Sequence, residues 1–194
     1  MRLGVLVSGR GSNLEAMLAA GLDVAIVISN RPDVRALEVA ARHGAPARVV
    51  RRADFANAVD RDRAIGAWLT ASGVELAVLA GYDQLLRASY FAAFSGGTIN
   101  VHPSLLPAHG GAGMMGMAVH RSVLSSGDSE TGVTIHEVTP ELDAGPILAQ
   151  AHVPVLAADD ADALAARVLV EEHRLLVETL VNLTRAAAVE VGTA

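Results

Sequence analysis

A single doubly wound, Rossmann-like α/β domain with a mostly parallel sheet is the fold that this sequence predicts, and two observations carry it. From residue 3 to residue 101, short β-branched runs alternate with longer Ala- and Leu-rich segments, and regular βα alternation implies a sheet wrapped by helices. The short runs are apolar at successive positions rather than at every second one, as strands buried on both faces are. A length of 194 residues suits one domain of ordinary size, so residues 1–194 are expected to form one unit.

Taken in order, the Val-, Ile- and Leu-rich runs place strands at 3–7, 23–29, 47–50, 75–80 and 98–101, and the segments between them read as helices at 14–20, 34–43, 55–71 and 85–94. After Val101 the pattern changes. Residues 103–116 contain Pro103, Pro107 and four Gly, too many breakers for a helix or a central strand. A long Gly/Pro-rich loop at the carboxyl end of a strand is expected there. A helix at 117–126, strands at 131–138 and 147–155, and a last helix at 159–185 complete the chain; the acidic residues that open the last helix suit its N-terminus.

Composition narrows the function classes. A hydrophobic fraction of 52% excludes a disordered chain, and 3% aromatics leave the core to small aliphatic side chains. The mean hydropathy of +0.38 reflects alanine, because no apolar stretch approaches the roughly 18 residues of a spanning helix. All 15 basic residues are Arg, they are scattered, and the net charge is −6, so neither a basic stripe for nucleic acid nor a membrane partner is expected. The absence of Cys rules out disulfides, Cys-ligated zinc and thiol catalysis. No two His stand at H-x-x-x-H spacing, so no metal is expected. The apolar run 3–7 is too short for a secretory h-region, and a cytoplasmic protein is expected.

Four motifs carry possible chemistry. Ser8-Gly9-Arg10-Gly11-Ser12-Asn13-Leu14 lies between the first strand and the first helix, where free amides bind anions. It lacks the third Gly of the dinucleotide fingerprint and the Lys-Ser/Thr of a P-loop, and it reads equally well as a plain turn capped by Ser12 or Asn13. In Asn100-Val101-His102-Pro103, residues two apart share a strand face. An amide donor beside an imidazole could hold an oxyanion and move a proton, or simply end a strand. Asp143 lies in a turn closed by Gly145-Pro146, and a carboxylate there would favour the charged imidazole if the two met. On the last helix, Leu164, Val168, Leu176 and Leu180 form an i, i+4 stripe interrupted by Glu172, either a buried carboxylate awaiting a ligand or the point where the helix meets water. His43, His120, His136 and His152 fall in helix or strand patterns that suit structural or solvated roles.

Together, Gly11-Ser12-Asn13-Leu14, the run Asn100-Val101-His102-Pro103-Ser104-Leu105-Leu106-Pro107 and Glu141-Leu142-Asp143-Ala144-Gly145-Pro146 resemble the folate-dependent formyltransferases. The N-terminal loop and the length resemble most closely the members that formylate phosphoribosylglycinamide in purine synthesis. That resemblance implies the formyltransferase fold and 10-formyltetrahydrofolate as cosubstrate, with no metal. It implies that Asn100 holds the developing oxyanion, that His102 is the general acid toward the leaving folate nitrogen, and that Asp143 raises the imidazole pKa and orders a proton-carrying water. Gly11, Ser12 and Asn13 would bind the substrate phosphate and Glu172 the ribose hydroxyls. Backbone groups along Asp83, Gln84, Leu85 and Leu86, and along Thr139, Pro140, Glu141, Leu142 and Asp143, would hold the folate, in a monomer or homodimer. Gln84 and Ala58 stand where many or some members carry Arg, which bears on the folate contacts. The alternatives are another formyl-handling enzyme, such as formyltetrahydrofolate hydrolase, a methionyl-tRNA formyltransferase or a sugar-nucleotide formyltransferase, or a non-catalytic folate- or phosphate-binding module.

Overall fold

The computed structural model describes residues 1–192, with side chains as far as Val189. The elements run β1 (Leu3–Val7), α1 (Ser12–Ala19), β2 (Val24–Ser29), α2 (Arg35–Arg42), β3 (Ala47–Val49), a 3-10 turn (Arg52–Asp54), α3 (Ala58–Ala71), β4 (Leu76–Leu79) and α4 (Ala88–Ala93). They continue as β5 (Gly97–His102), α5 (Met117–Ser126), β6 (Glu130–Glu137), β7 (Ile147–Pro154) and α6 (Ala161–Gly192). The seven strands form one sheet in the order β3-β2-β1-β4-β5-β6-β7. β1 pairs parallel with β2 and with β4, and β2 with β3. The pair β6–β7 is antiparallel, as strands joined by a short connection can be. β1, β2 and β4 are buried along their whole length, which is why their sequences do not alternate.

Three boundaries differ from the sequence pattern by three residues or more, each for a local reason. The helix expected from residue 55 starts at Ala58, because the Asn57 side chain caps it by accepting the Asp60 amide at 2.9 Å, one of the orphan donors of a first turn. The helix expected from residue 85 starts at Ala88, because the Arg87 amide donates to the Asp62 carboxylate on α3 at 3.0 Å. The last helix runs past residue 185 through Ala186 to Ala188, the best helix formers.

Contacts gather into two compact units, Met1–Ile99 with the end of α6 from Val181, and Asn100–Leu180. In the first, Leu3, Val5, Val27, Ile28, Leu14, Met17, Ile65 and Leu69 are buried. In the second, Val119, Val123, Val133, Ile135, Leu164, Val168 and Leu176 are buried, each aliphatic side chain contributing roughly 1.5 to 3 kcal/mol on leaving water.

Candidate active site

At the carboxyl end of β5, Asn100 is half-buried and His102 buried, two residues apart and therefore on one face. His102 Nε2 lies 2.9 Å from the carbonyl oxygen of His109. A carbonyl only accepts, so Nε2 carries the proton and, in the neutral ring, Nδ1 carries the lone pair. That Nδ1 faces Asp143 Oδ2 at 3.8 Å, beyond hydrogen-bond reach. Burial pushes the His102 pKa down; the His109 carbonyl and the Asp143 charge pull it up but do not prevail. The expectation that Asp143 lifts His102 above an ordinary imidazole is therefore corrected: at 3.8 Å the carboxylate only partly offsets the loss of solvent.

His136, assigned a structural or solvated role on its sequence pattern, belongs to this cluster. Its Nδ1 donates to the Glu137 carbonyl at 2.8 Å, which leaves Nε2 to accept one amide N–H of Asn100 at 3.1 Å. The Asn100 amide is thereby oriented through one of its two N–H groups. His136 Nε2 also lies 3.7 Å from Asp143 Oδ1. The signal was present in the sequence: Thr134 and His136 are polar at period two, alternating with apolar Val133 and Ile135 on the buried stretch of β6, and buried polar groups need partners. His109 likewise enters only with the structure, through its backbone carbonyl.

Two loops bring these groups together. Asp143 adopts the left-handed conformation at φ 52, and Gly145 approaches the Glu137 carbonyl so closely that a Cβ there would lie 2.0 Å from its oxygen. The Gly111 amide donates to Asp143 Oδ2 at 2.8 Å. The start of the Gly/Pro-rich loop is tied to the sheet by Thr134, whose hydroxyl donates to the Ser104 carbonyl at 2.7 Å and accepts the Leu106 amide at 3.0 Å. Gln150 on β7 donates to the Leu106 carbonyl at 3.1 Å. A half-buried amide with an oriented N–H, a buried imidazole with a lone pair and a carboxylate near both form a constellation for proton transfer beside an oxyanion.

Residues 1–180 match the family model described as formyl transferase. The chain belongs to the formyl transferase family. It is 37% identical over 96% of its length to the trifunctional purine biosynthetic protein adenosine-3 of Drosophila melanogaster, of which it spans 14%. It is 40% identical over 92% of its length to the chloroplastic phosphoribosylglycinamide formyltransferase of Vigna unguiculata, of which it spans 59%. Among solved structures it is similar to glycinamide ribonucleotide transformylase 1 of Symbiobacterium toebii, at 41% identity, covering 92% of this chain and 85% of that one with a TM-score of 0.87.

The other segments singled out by the formyltransferase resemblance take these positions. α1 opens with Gly11 in the left-handed conformation at φ 73 as N-cap, with no side-chain cap bond, so neither Ser12 nor Asn13 occupies the cap position. A Cβ on Gly11 would stand 2.6 Å from Ala36 Cα on α2, so the turn needs glycine there. Asp83, after β4, accepts from Ser8 Oγ at 3.0 Å, Asn30 Nδ2 at 2.6 Å and Gln84 Nε2 at 3.1 Å, and from Arg31. Burial alone would raise its pKa, but the bonds from Gln84, Asn30 and Ser8 and the Arg31 charge outweigh it and hold the carboxyl low. Gln84 accepts from Arg61 Nη1 at 2.8 Å, and Leu85 O from Arg61 Nη2 at 3.3 Å. The Asp83 and Gln84 side chains, the Asp83 amide and the Leu85 carbonyl are thus engaged within the protein, while the Leu85 side chain is half-exposed. In 139–143, Thr139 donates to the Glu141 carbonyl at 3.1 Å, and Leu142 is half-exposed. Glu172 is intermediate in burial while Leu164, Val168, Leu176 and Leu180 around it are fully buried. Ala58, where some members carry Arg, is the first residue of α3.

Among the described residues no group of His, Asp or Glu is arranged to hold a metal ion, and no helix is long and apolar enough to cross a membrane.

Proposed function

We propose that this chain transfers the formyl group of 10-formyltetrahydrofolate to the amine of phosphoribosylglycinamide. The observation that carries the reading is the meeting of Asn100, His102, His136 and Asp143 in one buried cluster, within a chain that belongs to the formyl transferase family. The folate cosubstrate supplies an activated formyl carbon. Its heterocycle needs apolar cover and backbone hydrogen bonds, and each of the segments 83–86 and 139–143, taken by itself, carries a half-exposed leucine suited to such cover, Leu85 and Leu142.

The reaction moves one proton net: the amine gains a bond to the formyl carbon and loses a proton, while the folate nitrogen loses that bond and gains one. The Asn100 amide donates to the formyl oxygen as negative charge develops there, with His136 fixing the direction of donation. His102 is neutral in the resting site, because burial lowers its pKa, so Nδ1 first accepts the amine proton and then gives it to the leaving nitrogen. The imidazolium in between lies beside the Asp143 carboxylate, which favours it. The amides at the start of α1, following Gly11 and belonging to Ser12 and Asn13, bind the phosphate at the positive end of the helix, and Glu172 accepts from the ribose hydroxyls.

The test is to mix purified protein with 10-formyltetrahydrofolate and follow deformylation with phosphoribosylglycinamide, with an amino sugar nucleotide, and with water alone. Turnover that requires phosphoribosylglycinamide is expected. Equal turnover in water, or transfer only to the sugar nucleotide, overturns the reading.

A further inference from the structure

His102 and Asp143 do not hydrogen-bond to each other, yet a three-residue strap touches both. The His109 carbonyl accepts from His102 Nε2 at 2.9 Å, and the Gly111 amide donates to Asp143 Oδ2 at 2.8 Å. Between them, Gly110 lies so close that a Cβ would stand 2.5 Å from Leu106 Cδ2 and 3.5 Å from Asp143 Cβ. The strap is bent at His109, whose φ is 53, a left-handed conformation that a residue with a Cβ adopts at a cost and only when its surroundings hold it. What holds it is the imidazole. His109 Nε2 lies 2.6 Å from Asp128 Oδ2, just after α5, and Nδ1 lies 2.8 Å from Ser122 Oγ on α5. Asp128 also accepts from Ser126 Oγ at 2.8 Å. A carboxylate only accepts, so His109 donates from Nε2 and, in the neutral ring, takes the Ser122 hydroxyl on Nδ1; both ring nitrogens are used.

We infer that His109 is a positioning residue for formyl transfer: its side chain, clamped between Ser122 and Asp128, holds the strap whose backbone sets the tautomer and orientation of His102 and the placement of Asp143. This rests on the proposed reaction for its catalytic meaning, while the clamp itself is a property of the resting protein. Without the clamp the His109 carbonyl moves off His102, and Nε2 is no longer obliged to carry the proton in the neutral ring. The groups that face His102 are Asp143, His136 and His109; losing the bond to the carbonyl, the larger of the two influences that favour the charged ring, outweighs losing the smaller opposing charge of His109 itself, so the titration of His102 moves further down.

The test compares His109→Leu, which loses both clamp bonds, with His109→Gln, whose amide can donate to Asp128 and accept from Ser122, and with Asp128→Ala. Nitrogen-15 spectra of the imidazoles, which need no substrate, are expected to show neutral His102 protonated at Nε2 in the native protein and in His109→Gln. A mixture of tautomers and a lower pKa are expected in His109→Leu. In turnover, kcat is expected to fall roughly 10- to 100-fold in His109→Leu, the scale of misplacing a reacting group by about an ångström. KM should change little, Asp128→Ala should lower kcat in the same direction, and His109→Gln should recover most of the loss. Unchanged His102 signals and kcat in a folded His109→Leu overturn the inference and leave the proposed reaction standing. If the native protein transfers no formyl group, the reaction fails while the spectra still decide the clamp. Should His109→Leu not fold, Asp128→Ala decides it by the same two readouts.

Discussion

Two buried carboxylates, Asp62 on α3 and Asp143 in the β6–β7 loop, are held in opposite ways. Asp62 is fully buried and saturated: it receives Arg61 Nε at 2.9 Å, Arg61 Nη2 at 2.6 Å, the Arg87 amide at 3.0 Å and Arg87 Nη1 at 3.3 Å. Asp143 takes one backbone amide, from Gly111, and faces two imidazoles at 3.7 and 3.8 Å without bonding either. A carboxylate whose lone pairs are met by two guanidinium groups and a backbone amide has no response left to give, and it serves as scaffold for residues 84–87. One that lies near two titratable rings changes its interaction when either ring gains a proton, which is what a proton-transfer site needs.

Breaking the saturated site should produce the largest change in stability. Asp62→Ala strands the buried Arg61 guanidinium and should destabilise the fold by about 3 to 5 kcal/mol, the usual cost of an uncompensated buried charge, read by chemical denaturation. Asn100→Ala, on the other side of the comparison, should leave the denaturation midpoint nearly unchanged. Its kcat should fall by about 100- to 1,000-fold, the cost of losing one oxyanion donor; near-native turnover would remove Asn100 from the mechanism.

The same contrast explains what was legible in the sequence. The strands and the fold class were readable because β1, β2 and β4 are buried on both faces, and burial of that kind writes itself as unbroken apolar runs. Asn100 and His102 could be paired from period two alone. That Asp143 reaches them could not, since it depends on its left-handed backbone and on the close approach of Gly145 to Glu137, which only a folded hairpin reveals. His136 was marked by its polarity on a buried strand, although its partner Asn100 on another strand was not; His109 stayed hidden because it acts through its carbonyl, and carbonyls leave no trace in a residue alphabet. The direction of the His102 shift was misjudged because spacing says nothing of burial.

Two smaller effects sharpen the contrast. Asp143→Asn should be well tolerated by the backbone, because Asn accepts the left-handed conformation. It removes a charge that favours the His102 imidazolium, so the acid limb of the kcat profile should move to lower pH and kcat at neutral pH should fall by about 10-fold or more. A profile that does not move contradicts the coupling. Glu172→Gln should weaken phosphoribosylglycinamide binding by about 10- to 100-fold, the worth of hydrogen bonds to a charged group, with folate binding unchanged, as separate titrations of the two substrates would show. A lower melting temperature with native affinity would make Glu172 structural.

The central claim is that the resting site holds a neutral imidazole beside a carboxylate that does not bond to it, and its most direct test is a nitrogen-15 titration of His102 in the free protein. Because the folded pKa is depressed, the ring should stay neutral below the ordinary imidazole value of about 6.5 and protonate only as pH falls further. Protonation of the unfolded chain is then favoured in that window, so stability should drop with pH there, and His102→Gln should abolish that part of the dependence. Titration of His102 at or above the ordinary value would contradict the account and return Asp143 to the role of a bonded partner.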